Sequence, residues 1–174
     1  AESFQKDARC HCWPVMADGI KVKTIYGITS GVGHRVVQST PYRATSDATL
    51  EWTCTQMDLL GRVILTGVFK GASAPTSCSS TTNRTGASAI VYNGDQITAT
   101  DPAGKVIRRD QDALGRLIQV VEDPSGLNYA TTYIYDVLDN QTEVTQGSQT
   151  RTFDYSSLGR LLSASGRFEE ALAL

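Results

Sequence analysis

The segment Asp112-Ala113-Leu114-Gly115-Arg116-Leu117 decides the fold, because it recurs along the chain. It appears upstream as Asp58-Leu59-Leu60-Gly61-Arg62-Val63 and downstream as Ser156-Ser157-Leu158-Gly159-Arg160-Leu161. A weaker copy is Asp136-Val137-Leu138-Asp139-Asn140, so that the last three copies are spaced by 24 and then 20 residues. A period in this range, with a turn signal in each copy, is typical of a stacked β architecture, in which each unit buries its apolar face against a neighbour.

A second turn motif alternates with the first. Asp101-Pro102-Ala103-Gly104 and Asp123-Pro124-Ser125-Gly126 lie 22 residues apart. Asp at the first position bonds to the backbone, Pro presets φ at the second, and Gly suits the last, which is the signature of a type I turn. The segments between the turns, 105–109 and 117–122, are rich in Val and Ile and indicate antiparallel hairpins. We therefore predict an all-β chain with little helix.

The chain divides into three parts by sequence. Residues 1–50 carry no clear repeat and are predicted to form an N-terminal β region or cap, with strands at 20–26 and 35–38 and a break at Gly27. Residues 51–165 hold the repeats, interrupted by a Ser/Thr-rich loop at 70–90. Residues 166–174 form a C-terminal tail that ends in an apolar stretch, and we expect it to engage a neighbouring subunit.

Composition excludes several classes of protein. The 174 residues are 40% hydrophobic and 20% charged, which is too apolar for a disordered chain. The formal net charge of −2 provides no basic field for phosphates, so we expect no nucleic-acid partner. No apolar run approaches the roughly 20 residues that a membrane span needs.

Four cysteines, Cys10, Cys12, Cys54 and Cys78, suit two disulfides in an oxidising compartment, hence a secreted or cell-surface location. A direct Cys10–Cys12 bridge would close a very tight ring. We therefore expect each of them to reach Cys54 or Cys78, with the order open. The alternative is four reduced, buried thiols.

No catalytic, metal or cofactor site is expected. Cys10-His11-Cys12 lacks the two-residue gap common in zinc sites, and His34 is the only other histidine. No Ser/His/Asp or Cys/His set has a spacing that favours catalysis. Carboxylates such as Asp112 and Asp136 fall at turn positions, where Asp is expected for backbone bonding. The chain is therefore predicted not to be an enzyme.

Three further features have both a structural and a functional interpretation. Arg62, Arg116 and Arg160 follow the turn glycines; they either bind an acidic polymer or, as we favour, pair with turn aspartates and stack on aromatic rings. Pairs of aromatic residues two apart, 133 with 135 and 153 with 155, predict a cross-strand aromatic ladder, with sugar binding as the alternative. Asn83 and Asn140 begin sequons, which are candidate glycosylation sites in a host with that machinery.

The repeats resemble RHS repeats, also called YD repeats. The resemblance lies in Tyr135-Asp136-Val137-Leu138-Asp139-Asn140, in Tyr155-Ser156-Ser157-Leu158-Gly159-Arg160-Leu161 and in the Asp-Pro-x-Gly turns, and it covers about residues 51–69 and 90–165. Gln111 and Met57 replace the tyrosine in the copies that begin at Asp112 and Asp58, and Ser156 replaces the aspartate in the last copy. The repeat-turn residues expected to have structural roles are Asp58, Gly61, Arg62, Asp101, Pro102, Gly104, Asp112, Gly115, Arg116, Asp123, Pro124, Gly126, Asp136, Gly159 and Arg160.

The resemblance implies a spiral of β-hairpins and a bacterial surface or secreted protein, a toxin-delivery protein or a teneurin ectodomain. Four or five hairpins are too few to close a shell, and an open stack exposes strand edges. We therefore expect a non-catalytic extracellular structural protein that assembles with copies of itself, head to tail or by strand donation, into a filament or surface scaffold. The alternatives are a carbohydrate-binding adhesin segment of a longer RHS protein, with glycans as partners, and a fragment of a toxin-encapsulating shell.

Overall fold

A computed structural model describes residues 20–42 and 49–167. The described chain consists of strands and turns, without a helix. The strands are β1 (Thr24–Thr29), β2 (Gly33–Ser39), β3 (Glu51–Met57), β4 (Val63–Lys70), β5 (Arg84–Asn93), β6 (Gln96–Thr100), β7 (Val106–Gln111), β8 (Leu117–Glu122), β9 (Tyr129–Tyr135), β10 (Gln141–Gln146), β11 (Gln149–Tyr155) and β12 (Leu161–Arg167).

The strands form one sheet in which each is hydrogen-bonded to its neighbours in sequence, from β1 to β12. The pairs are antiparallel, as successive hairpins require. The prediction of an all-β antiparallel hairpin repeat with little helix is confirmed. The chain divides into two compact units, the first reaching Ile90 and including 101–103, and the second comprising 91–100 and the chain from Gly104 onward.

The first unit has a small, fully buried core. Val37 lies opposite Cys54, and Cys54 lies opposite Gly67, so these residues share one face of the sheet. Trp52 and Phe69 lie in the neighbouring row of the same face. Apart from Gly67, each of these residues is at most 3% exposed. A single sheet does not bury a face by itself, so another segment must cover this one.

The covering segment is the loop at 71–83. Cys78 in this loop is 1% exposed and belongs to the core cluster. The Trp52 indole N–H donates to the Gly71 carbonyl at 2.8 Å, and the Arg35 guanidinium donates to the Thr76 carbonyl. A Cβ at Gly67 would lie 2.7 Å from the Phe69 ring and 3.0 Å from the Cys78 carbonyl oxygen, so a side chain there would disturb both the core and the loop.

The covering loop is shorter than the predicted 70–90 loop. Strand β5 begins at Arg84, and its pairing with β4 places Ser88 opposite Thr66. The Ser, Thr and Ala residues that were predicted as part of the loop therefore form a strand that is hydrogen-bonded to β4. Tertiary pairing with a strong strand overrides their weak intrinsic preference.

The cysteine pairing differs from the prediction. Cys54 is bonded to Cys78, with a Cα–Cα distance of 5.1 Å. The expectation that Cys10 and Cys12 would each reach one of these two is wrong, because the loop that carries Cys78 crosses the face to which Cys54 points. Cys10 and Cys12 themselves lie outside the described residues.

The predicted strand at 20–26 is displaced toward the C-terminus, because β1 runs from Thr24 through Gly27 to Thr29. Gly27 is a strand residue rather than a break. It lies opposite Arg35, whose guanidinium would be 3.2 Å from a Cβ at this position, so the glycine makes room for the arginine. The chain reverses at Gly31, where φ is 73°, and the second predicted strand lies within β2.

The second unit fully buries few apolar side chains. Within its described part Val121 is the one fully buried hydrophobic side chain, at 2% exposure. The predicted aromatic ladder is wrong, because β10 lies between β9 and β11 and places Val144 opposite both Tyr133 and Arg151. The aromatic residues of β9 and β11 are therefore two strands apart rather than direct neighbours.

The Cys54–Cys78 bond should stabilise the first unit by restricting its unfolded chain. For a sequence separation of 24 residues, the chain-entropy relation gives about 3 kcal/mol. We expect the double variant C54A/C78A to lose about this much unfolding free energy in urea titrations. It should also be cut faster by protease within 71–83. The control is Thr81→Ala in the same loop, and equal urea midpoints for the two variants would contradict this account.

Candidate functional site

The repeated turns share one hydrogen-bond pattern built on their first residue. The Oδ1 atom of Asp112 accepts the backbone N–H groups of Leu114 and Arg116 at 2.9 and 3.0 Å. Asp58 accepts the two corresponding N–H groups at 2.9 Å each, and so does Asp136. A carboxylate that accepts two backbone N–H groups fixes the loop, because these N–H groups have no partner in the hydrogen bonds between the two strands.

The copy that begins at Ser156 has the same pattern with weaker bonds. Its Oγ lies 3.4 Å from the N–H of Leu158 and 3.2 Å from that of Arg160. A neutral hydroxyl is a poorer acceptor than a carboxylate. The substitution of serine for aspartate thus retains the turn with longer hydrogen bonds.

The fourth residue of each turn has a left-handed backbone. The φ values are 80° at Gly61, 81° at Gly115 and 71° at Gly159. Asp139 occupies this position in the third copy with φ of 69°. Aspartate tolerates this conformation better than most residues, which explains how the copy without glycine keeps the same turn.

A β-bulge follows each turn at the same place. In the second copy Asp110 lies opposite Gln119, but Gln111 lies opposite Leu117, so Ile118 is the extra residue. Ile64, Thr142 and Leu162 are the extra residues in the other copies. Because a bulge sharpens strand twist and re-aims side chains, the turn and bulge form one repeated unit of structure.

In three of the copies, the side chain of the fifth residue donates a hydrogen bond to the side chain of the first. The Arg116 Nε lies 2.7 Å from Asp112 Oδ2, and Arg62 makes the same bond to Asp58 at 2.7 Å. In the third copy the Asn140 amide donates to Asp136 Oδ2 at 2.8 Å. In the sequence, Asn140 is the last residue of the weaker copy and the start of a sequon, and the structure adds a role for its amide nitrogen in the turn.

Arg116 also joins its own turn to the next one. Its Nη1 donates to the Asp136 carbonyl at 3.2 Å and lies 3.4 Å from Asp139 Oδ1. The guanidinium carbon lies 4.9 Å from the centroid of the Tyr135 ring. The hydroxyl of Tyr135 donates to the Leu117 carbonyl at 2.9 Å. Arg116 and Tyr135 therefore tie two successive repeats together, a use of arginine that differs from binding an external polymer.

These contacts set the pKa values of the turn carboxylates. Burial opposes ionisation of Asp58 and Asp112, but hydrogen bonds from the backbone and guanidinium of the fifth residue outweigh it and lower both pKa values. For Asp136, the side-chain amide of Asn140 is the leading cause of a lowered pKa. The hydrogen bond to Asp112 raises the pKa of Arg116.

The two Asp-Pro-x-Gly turns have different geometries. Asp101 Oδ1 accepts the N–H of Ala103 at 2.8 Å. Asp123 is itself left-handed, with φ of 48°, and its Oδ2 accepts the N–H of Leu127 at 3.1 Å. A Cβ at Gly126 would lie 2.3 Å from this Oδ2, so a side chain there would displace the Asp123 carboxylate from its bond to Leu127.

The other candidate sites, for a metal ion, a sugar or a glycan, do not resemble a reaction site. Among the described residues, no cluster of His, Cys, Asp and Glu side chains is arranged to hold a metal ion. A cavity of about 260 Å³ in the first unit, which the sequence did not indicate, is lined in part by Lys23, Tyr42 and Trp52. The Trp52 ring is 3% exposed, which leaves no open face on which a sugar could stack. Asn83 lies in an exposed turn with φ of 59°.

The turn carboxylates should make stability depend on acid. Because the folded pKa values of Asp58, Asp112 and Asp136 lie below 3.8, the unfolded chain binds more protons at low pH. Their contribution is complete above pH 3.8 and is lost as the pH falls through the lower folded values. We expect D112N/D136N to show a smaller drop in urea midpoint between neutral and acidic pH than the wild type does. D95N, in an exposed turn, is the control, and an unchanged pH dependence in D112N/D136N would oppose this assignment.

The hydroxyl of Tyr135 should contribute to stability separately from its ring. We expect Tyr135→Phe to lower the unfolding free energy by about 1 kcal/mol, since it removes the hydrogen bond to Leu117 and keeps the ring beneath Arg116. Tyr133→Phe, two residues earlier in the same strand, is the matched control and should change the midpoint less. Equal losses in both variants would show that this bond does not link the repeats.

Comparisons with known proteins gave one family match that falls on these turns. The family model for the RHS repeat matches residues 112–151, the segment that contains the Asp112 and Asp136 turns. The curated proteins give no significant match. Among solved structures, a porin-like protein from Bacteroides uniformis has 15% identity and a TM-score of 0.38, with 85% of this chain and 55% of that chain covered. The chain thus spans about half the length of that structure. The match identifies residues 112–151 as an RHS repeat, and the turns that begin at Asp58 and Ser156 repeat the geometry of the turns within that segment.

Proposed function

We propose that this chain is a non-catalytic, extracellular structural protein that assembles with copies of itself through the ends of its β-repeat sheet, forming a filament or surface scaffold. The observation that carries the proposal is the second unit, where β6 to β12 accompany a single fully buried hydrophobic side chain, Val121, in the described part. A sheet with so small a core gains stability when another surface covers it.

The distribution of exposed leucines supports association. The third residue of each turn is a leucine that is 61–80% exposed, at positions 60, 114, 138 and 158. The neighbouring Val137 is fully exposed. Large apolar groups that recur in exposed positions are a common feature of interaction surfaces.

A non-catalytic role is consistent with how the carboxylates are used. Asp112 and Asp136 each accept two backbone N–H groups and one side-chain donor, so their oxygens are committed to the turns. Their lowered pKa values also make them poor proton donors near neutral pH. These carboxylates have the properties of structural groups.

An extracellular location is consistent with the disulfide. The Cys54–Cys78 bond is stable in oxidising compartments, and disulfides are rare in reducing ones. RHS repeats typically occur in secreted or surface proteins. Over the described residues, the chain has no helix of the length and apolarity needed to cross a membrane.

Size-exclusion chromatography and negative-stain microscopy of the oxidised chain test the proposal. We expect an elution volume that decreases with concentration and ordered fibres at the highest concentrations. A discrete monomer at every concentration would overturn self-assembly. If that monomer were retarded on immobilised glycans, the competing role, an adhesin segment of a longer RHS protein, would take its place.

A further inference from the structure

The last described repeat differs from an internal repeat in the exposure of the two apolar residues that follow its turn. Leu117 and Ile118 follow the second turn, and Leu161 and Leu162 occupy the same positions after the fourth. Leu117 is half-buried and Ile118 is 37% exposed, whereas Leu161 and Leu162 are 55% and 69% exposed. The difference lies in the neighbouring strand. Strand β9 pairs with β8, while β12 pairs only with β11 among the described residues.

In the internal repeat, the strand that lies beside β8 is β9. Strand β9 is the first strand of a hairpin and lies against β8, while β10 returns on its far side. It contributes apolar side chains two residues apart, including Tyr135, whose hydroxyl bonds to Leu117. An element that fits beside β12 as β9 fits beside β8 is the first strand of a hairpin with an open outer side and alternating apolar residues.

Strand β1 has these properties. It is the first strand of the β1–β2 hairpin, and among the described residues it pairs only with β2. Tyr26 and Ile28 lie two residues apart in β1 and are 74% and 81% exposed. In a second copy of the chain, β1 can therefore lie beside β12 as β9 lies beside β8.

Both strands lack most of the features that normally keep a sheet edge from pairing, and the exception is the bulge at Leu162 of β12, next to the turn. Soluble proteins protect edges with Lys, Pro, bulges or charges that point inward. Strand β1, Thr24–Thr29, has no charged residue and no proline, and in β12 the only charged residue is Arg167 at its end. With one charged residue between them, the two edges can approach each other with little electrostatic repulsion.

We propose that β12 of one copy pairs antiparallel with β1 of the next copy, with Leu161 and Leu162 packing beside Tyr26 and Ile28. This inference rests on the self-assembly proposed above and specifies the contact. The contact is heterologous, since two different strands meet, and each added copy presents a new β12 edge. Where the rotation between successive copies does not close a ring, such a contact gives a filament.

Two single variants test the contact. Leu162→Lys blocks β12 and leaves β1 intact, and Tyr26→Lys does the reverse. We expect each alone to raise the concentration for half-assembly by at least about tenfold, because pairing would bury an unpartnered charge. Mixed in equal amounts, they should form a dimer that grows no further, since L162K keeps a working β1 and Y26K keeps a working β12. Leu158→Lys, at an 80% exposed turn position, is the matched control and should assemble like the wild type.

The outcomes separate this contact from self-assembly in general. A wild-type chain that stays monomeric would overturn both proposals. Undiminished assembly of L162K and Y26K, alongside an assembling wild type, would overturn the β12–β1 contact and leave self-assembly standing. Dimers formed by Y26K alone would indicate a two-fold β12–β12 contact and would also overturn it. Far-UV circular dichroism of each variant verifies that the fold is retained.

Discussion

The architecture depends on a short hydrogen-bonded loop in which the first side chain accepts two backbone N–H groups. At Asp58, Asp112 and Asp136 this acceptor is a carboxylate, and at Ser156 it is a hydroxyl. The loop sets the position of the left-handed residue, and the bulge that follows sets the register of the next strand. In an antiparallel sheet register determines which side chains face which side. A local polar interaction thus controls how the apolar residues are distributed.

The two units bury their apolar side chains by different means. The first covers one sheet face with its own 71–83 loop, held by the Cys54–Cys78 bond and by the donors Arg35 and Trp52. The second links successive repeats through polar and aromatic contacts at its turns, as Arg116 does with Asp139 and Tyr135. Internal burial is the larger source of stability in the first unit, and turn-to-turn coupling is the more prominent feature of the second.

Much of the fold could be predicted from the sequence, because the turn residues carry strong local preferences. Aspartate and glycine at fixed spacing indicated the hairpins, and the short strand predicted at 35–38 lies within β2. The errors arose where tertiary contacts overrule local preference. Gly27 reads as a break until Arg35 is placed across from it, and 84–90 reads as loop until β4 provides a partner. The disulfide partner of Cys54 likewise depends on the path of a loop, which spacing does not determine. At the turns, the roles of Tyr135 and Asn140 were missed because each depends on a neighbour distant in sequence or on a substitution within the motif.

The replacement of arginine by asparagine at position 140 bears on how such chains diverge. The amide nitrogen donates to Asp136 much as a guanidinium donates to Asp112, and Asp139 adopts the backbone shape of a glycine. The loop therefore places few demands on the identity of its residues: an acceptor, a residue tolerant of positive φ, and a donor. Mutations that respect these three demands accumulate without loss of the hairpin. Over evolutionary time the turn geometry of a repeat can therefore persist after its sequence motif is no longer recognisable.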